Sequence, residues 1–130
     1  MRRVTVVLVV VALVSLGLAA CGSGQSGAVQ AVQGYLDALV AKDSSRVSAL
    51  SCADWESDAQ VEVDSLEAVT PRLDGVSCSE SGTDGDATLV TCTGSMVLSY
   101  NGEDRSLDLS RRTYRVVQQG GDWLMCGYQQ

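Results

Sequence analysis

Three hydrophobic patterns follow one another along the chain. Val4 to Leu16 is an almost unbroken run of Val, Leu and Ala. After the polar stretch 22–27, apolar residues recur at intervals of three and four, the period of a helix buried on one side. From Leu73 onward the interval falls to two, the period of a strand with one face covered.

The helical part divides into three. Ser26 is placed to cap a helix over about Ala28–Ala41, with Val29, Val32, Leu36, Leu39 and Val40 on its apolar side. Gly34 inside it costs about 1 kcal/mol relative to Ala. Asp43 or Ser44 caps a short second helix through Leu50, with Val47 and Leu50 inward. Trp55, Ala59, Val63, Leu66 and Val69 define a third, whose first-turn carboxylates Asp54, Glu56 and Asp58 suit the positive end of a helix dipole. Pro71 provides its stop.

Four strands are predicted after it. Val76 and Cys78 begin the first, and Ser81–Asp86 turns the chain. A long second strand, Ala87–Tyr100, places Val90, Cys92, Met96, Leu98 and Tyr100 on one face. Asn101-Gly102 then reads as a type I′ hairpin turn. In the third strand, about Arg105–Gln118, the apolar parity slips from Leu107 and Leu109 to Tyr114 and Val116, so a β-bulge with one extra residue is expected near Ser110–Arg112. Gln119–Asp122 turns into a last strand, Trp123–Tyr128. Helices followed by an antiparallel meander make the expected fold class α+β: N-terminal helices on a four-stranded sheet.

The first apolar run is too short for a spanning helix, which needs about 20 residues, and fits a signal-peptide h-region. Arg2 and Arg3 precede it, and Leu18-Ala19-Ala20-Cys21 closes it. That ending resembles the lipobox of bacterial lipoprotein signal peptides. The resemblance implies cleavage before Cys21, diacylglycerol and palmitate chains on that residue, and a place at the outer face of the cell membrane. An uncleaved anchor and ordinary cleavage leaving Cys21 unlipidated are the alternatives. Leu18 argues against the latter, because an A-x-A-type site wants a small residue there. The expected organisation is 1–20 signal peptide, 21–27 tether, and 28–130 one domain. The tether spans about 15 Å, which keeps the domain near the bilayer.

Without residues 1–20, seven basic residues face sixteen acidic ones, because Arg2 and Arg3 are lost from the nine. Such a surface excludes nucleic acid as a partner. It also leaves lipid on Cys21 as the attachment to the membrane. The other cysteines, Cys52, Cys78, Cys92 and Cys126, are even in number, which in an exported chain reads as two disulfides. Of three possible pairings, a chain reversal at Gly85 favours Cys78–Cys92 across a hairpin, leaving Cys52–Cys126. No histidine, C-x-x-C pair or EF-hand loop is present, so no metal or other cofactor is expected.

A wider resemblance rests on Ala31-Val32-Gln33-Gly34-Tyr35-Leu36-Asp37-Ala38-Leu39, the Lys42-Asp43 break, and the meander closing on Gly121-Asp122-Trp123-Leu124-Met125-Cys126. Together these resemble the nuclear transport factor 2-like (cystatin-like) superfamily, and within it the small exported actinobacterial lipoproteins. The resemblance implies a curved, cone-like sheet around a helix, with a pocket at its mouth. For an isomerase or dehydratase of that kind, Asp108, Tyr100 and Tyr114 are the candidate base and hydroxyls. Strand alternation, however, turns Asp108 toward solvent, opposite Leu107 and Leu109. Ten carboxylates and only Arg72 fall within 54–86, whereas Arg105, Arg111, Arg112 and Arg115 share the third strand. Those arginines read as solvated partners of acidic neighbours or, with Arg111-Arg112 at the centre, as a dock for an anion or a partner. The expected function is a non-catalytic, membrane-anchored envelope lipoprotein that binds a small apolar ligand or an envelope protein. The small pocket enzyme is the alternative.

Overall fold

A computed structural model describes residues 25–130. The signal-peptide run, Cys21 and most of the tether lie outside the described residues. Three helices come first: α1 (Gly27–Val40), α2 (Ser44–Ala49) and α3 (Glu56–Ser65). Five antiparallel strands follow: β1 (Thr70–Asp84), β2 (Ala87–Tyr100), β3 (Glu103–Asp108), β4 (Thr113–Gln119) and β5 (Asp122–Gln129). The class is therefore α+β. The order across the sheet is β1-β2-β4-β5, and β3 also pairs with β2.

Local chemistry sets the helix starts. Ser26 Oγ accepts from Val29 N–H at 3.3 Å, and Asp43 Oδ1 accepts from Arg46 N–H at 3.0 Å. Gly27 belongs to α1 rather than to the tether, and the Trp123 indole lies over it where a Cβ would sit 2.2 Å from Nε1. α1 is buried more widely than its aliphatic stripe predicts. Ala28, Ala31, Tyr35 and Ala38 join Val29, Val32, Leu36 and Leu39 in the core, while Val40 is only half-buried. Each large side chain so buried contributes about 1.5–3 kcal/mol. α3 ends at Ser65, earlier than its pattern suggests, and Pro71 lies inside β1 opposite Leu98. An edge strand tolerates proline because one row of its N–H groups has no partner to lose.

The sheet has five strands instead of four because the predicted third strand is divided. A 3-10 turn, Leu109–Arg111, separates β3 from β4, and both halves pair along the same edge of β2. Thr91 faces Thr113 and Ser95 faces Asp108, so residues 92–94 lie opposite 109–112. That is the one extra residue the parity slip demands. β1 carries a second irregularity, where Gly75 and Val76 lie opposite Gly94 alone. Gly94 has φ +89, and a Cβ on it would lie 2.5 Å from the Gly75 carbonyl oxygen. Only glycine fits there.

Hairpin turns match their signals. Asn101 and Gly102 both have positive φ, as do Gly120 and Gly121. Cys78 and Cys92 face each other across β1 and β2 and form a disulfide, with Cα atoms 4.0 Å apart. Cys52 bonds Cys126 across a separation of 74 residues. Around that bridge the segment after α2 joins the edge of β5. Cys52 N–H donates to the Met125 carbonyl at 2.8 Å, and Met125 N–H donates to the Leu50 carbonyl at 2.7 Å.

Candidate functional site

The residues singled out from the sequence do not assemble into one site. Tyr100 is 58% exposed near the Asn101-Gly102 turn. Asp108 is exposed and caps the 3-10 turn, its Oδ1 accepting from Ser110 Oγ at 2.7 Å and from Ser110 N–H at 2.9 Å. These bonds, the hydroxyl first, hold its carboxyl below the usual range, which is the wrong direction for a base. Tyr114 alone is buried, at 1% exposure.

Instead, Tyr114 belongs to a cluster that no motif announces. α1 supplies Tyr35, the start of α3 supplies Trp55, and α3 itself supplies Glu62. Arg112 and Tyr114 come from the junction into β4, and Tyr128 comes from β5. Trp55 Nε1–H donates to Tyr35 Oη at 3.1 Å, and Tyr35 O–H donates to Glu62 Oε2 at 2.7 Å. Arg112 Nη1 lies 3.6 Å from Glu62 Oε1, and both side chains are more than four-fifths buried. The guanidinium also stacks 4.1 Å from the centre of the Tyr128 ring, which meets Trp55 and Tyr114 edge-on.

Electrostatics follow from this crowding. Burial, then the Glu62 carboxylate, drives the Tyr35 hydroxyl well above the ordinary tyrosine range and pushes Tyr128 up to about 12. Tyr114 is raised by burial, and Arg112 beside it pulls partly back. The Tyr114 hydroxyl is fully buried and makes no well-aligned hydrogen bond among the described residues, with the Arg112 side chain as the donor that lies beside it. Next to Glu62 and Arg112 is a cleft of about 60 Å³ with Leu39, Leu66, Met96 and Leu107 in its wall. Arg112 and Leu107 also line a wider cleft of about 240 Å³ that includes Ser106 and Arg111.

The other strand arginines divide as follows. Arg115 pairs with Asp84, and Arg72 pairs with Asp104 at 2.9 Å. Arg105 and Arg111 make no ion pair among the described residues. No group of three or more His, Cys, Asp or Glu side chains suited to a metal occurs among the described residues.

Glu62 stands on the apolar stripe itself, seven residues after Trp55, three after Ala59 and four before Leu66, and a reading that counts only the apolar members of the stripe passes over it. Its partner Arg112 is brought to it only by the 3-10 turn. Two signals were available: a carboxylate at the spacing of the apolar stripe, and the parity slip at Ser110–Arg112, which marks where the strand re-aims its side chains.

No family model matches the chain, and no curated protein matches it. Two solved structures are similar in fold. One is RPA3114, a SEC-C motif-containing protein from Rhodopseudomonas palustris, with 15% identity, a TM-score of 0.53, and coverage of 81% of this chain and 80% of that one. The other is Aln2 from a Streptomyces species, with 13% identity, a TM-score of 0.50, and coverage of 76% and 82%. These similarities concern the fold alone. They correct the resemblance drawn from the sequence: the chain is not identified as nuclear transport factor 2-like, and none of the comparisons points to a lipoprotein family. The physical reason is that a helix, a break, a second helix and a meander are what amphipathic periodicity alone dictates. Many unrelated sequences satisfy that order, and none of the residues behind the resemblance carries diagnostic chemistry.

Proposed function

We propose that this is an exported, non-catalytic domain, anchored at the outer face of the cell membrane by lipid on Cys21, where it binds a small ligand or a protein partner. The observation that carries the reading is the distribution of the five cysteines. Four of them pair in two disulfides, which persist in oxidising compartments, and the fifth ends the apolar run after Leu18-Ala19-Ala20. Among the described residues no helix is long and apolar enough to cross a membrane. We read the sheet as curved and cone-like, because the two irregularities of β1 and the 3-10 turn each bend a strand.

Intact mass of the protein from the membrane fraction, with and without reduction, tests the reading. The expected result is a chain beginning at Cys21 with added acyl mass, gaining four hydrogens on reduction. An unmodified Cys21 refutes the anchor, and free thiols at the other four refute the compartment.

The alternative is a small isomerase or dehydratase, and Glu62 is the observation in its favour: a largely buried carboxylate among tyrosines. Its Oε2 already accepts from Tyr35 and its Oε1 faces Arg112, so both oxygens have neighbours before any substrate arrives. Turnover of an enolisable ketone, abolished in Glu62→Gln, would favour the enzyme.

A further inference from the structure

The edge of a sheet presents backbone groups that no neighbouring strand bonds. β5 lies at one end of this sheet, and the segment after α2 covers it through the bonds of Cys52 and Met125. β1 lies at the other end and pairs only with β2 among the described residues. The outer edge of β3 is also open, but four of its six residues are charged, which keeps an edge from pairing. Parts of β1 are guarded as well. Pro71 and the irregularity at Gly75 and Val76 interrupt one part, and a second irregularity follows Glu80. Residues 77–80 between them pair in unbroken register with 90–93. Residues 73–84 contain no Lys, Arg or Pro to guard them.

Cys78 and Cys92 show which way the free groups point. Opposed residues of antiparallel strands lie about 4.5 Å apart at Cα where they exchange no hydrogen bonds, and about 5.5 Å where they do. The 4.0 Å between Cys78 and Cys92 makes theirs the narrow pair. Cys78 therefore turns its N–H and C=O away from β2, and Glu80, two residues on in the same register, does likewise. Two donors and two acceptors in line suit one short added strand.

The side chains on the helix side of this edge give the chemistry of that strand. Cys78 and Glu80 share a cleft of about 280 Å³ with Ser26 and Val29 of the α1 start. A second cleft, of about 270 Å³, lies between Leu73 and Val76 of β1 and Gln33 and Asp37 of α1. Glu80 and Asp37 are exposed, and neither makes an ion pair among the described residues. Ser26 and Asp37 lie about 16 Å apart along the helix, the span of about five extended residues. We infer that this edge takes up a short extended segment of another protein, with a cation at each end and an apolar residue between them. The apolar residue lies opposite Cys78, with its side chain in the clefts. The cations, four residues apart and on the same face, reach Glu80 and Asp37. A second copy of this chain fits less well, because only residues 77–80 are in regular register and its excess of acidic residues would meet Glu80 with like charge.

The inference rests on the protein-partner half of the proposed function. Its test titrates the purified protein with acetyl-Lys-Thr-Val-Thr-Lys-amide at low salt, reading Kd and position from backbone amide shifts in NMR. The peptide is expected to bind and to move the Cys78 and Glu80 amides most. The same peptide with Glu at both ends should bind at least about tenfold more weakly. Methylation of the Val nitrogen removes one backbone donor and should weaken binding about fivefold. Glu80→Lys should weaken it about fivefold, and Asp37→Lys, on the other element, tests the second contact in the same way. Equal affinity of the methylated peptide overturns the added strand, and equal affinity of the Glu-ended peptide overturns the basic partner. Shifts centred away from residues 76–82 overturn the site. No binding overturns the inference outright. Slow hydrogen exchange at Cys78 and Glu80 without peptide then assigns the edge to a second copy if it grows with protein concentration, and to the chain before Gln25 if it does not. None of these readings involves Cys21, so their failure leaves the lipid anchor to its own mass measurement.

Discussion

The two strands that share one edge of β2 have opposite surroundings. Ala87, Val90 and Cys92 are buried, and the strand beside them, β4, buries Tyr114, Val116 and Val117. Toward the other end β2 still buries Met96 and Val97, but it pairs there with β3, all six of whose residues are exposed, and Tyr100 is open to solvent. Length explains much of the contrast. A 14-residue helix extends about 21 Å, whereas a 14-residue strand extends about 47 Å. α1 therefore cannot cover β2 from end to end. Alternation tells which face of a strand turns inward, but not whether anything lies there to cover it. The polar cluster and its clefts sit where exposed β3 gives way to buried β4, at the 3-10 turn.

The largest test of this contrast is the disulfides. Replacing Cys52 and Cys126 together by Ser should cost about 4 kcal/mol, and replacing Cys78 and Cys92 about 3, by chain-entropy reasoning on loops of 74 and 14 residues. Denaturant midpoints under non-reducing conditions read both. A larger loss from the Cys78–Cys92 pair would mean that the helical layer does not depend on its tie to β5.

Two leucines on either side of the boundary sharpen it. Leu109 is fully buried in the 3-10 turn, and Leu107, two residues earlier, is 41% exposed. Leu109→Ala should destabilise by about 2–5 kcal/mol, and Leu107→Ala by well under half of that. Similar losses at both positions would show that the end of β3 is covered as firmly as β4.

The smallest effect is one of pH. Tyr35, Tyr114 and Tyr128 are all raised above the usual value, Tyr128 to about 12. The folded state therefore holds these protons more tightly than the unfolded chain, whose tyrosines titrate near about 10. The stability they contribute is complete below about pH 10 and is lost as pH rises from there through about 12. Absorbance titration of phenolate should show them ionising late, and Tyr128→Phe should weaken the alkaline loss. Early ionisation of all the tyrosines would mean the cluster is open to water.

Much of the fold is legible in the amino-acid sequence. The bounds of β2, the Ser26 cap, the Asn101-Gly102 turn and the extra residue near Ser110–Arg112 all follow from local rules, whereas the predicted turn at Ser81–Asp86 is mostly strand, β1 running on to Asp84. Those features depend on neighbours a few positions away, which is why periodicity reveals them. The candidate site is not legible in the same way. Asp108 stands out by residue type and proves to be an exposed cap, and Tyr100 proves to be open to solvent. Glu62 and Arg112, half a chain apart, carry no pattern that joins them.

By itself the sequence determined the order of helices and strands, the bounds of β2 and the Asn101-Gly102 turn, and it favoured the cysteine pairing that the structure has. It did so because backbone geometry, glycine at positive φ and the two hydrophobic periods act over short distances. Only the tertiary structure decided that the third strand breaks in two, that β3 is left exposed while β4 is buried, and that Arg112 and Glu62 are buried side by side among tyrosines. Those outcomes depend on lengths and layers that meet in space, and a buried donor's cost exists only once the layers have closed over it.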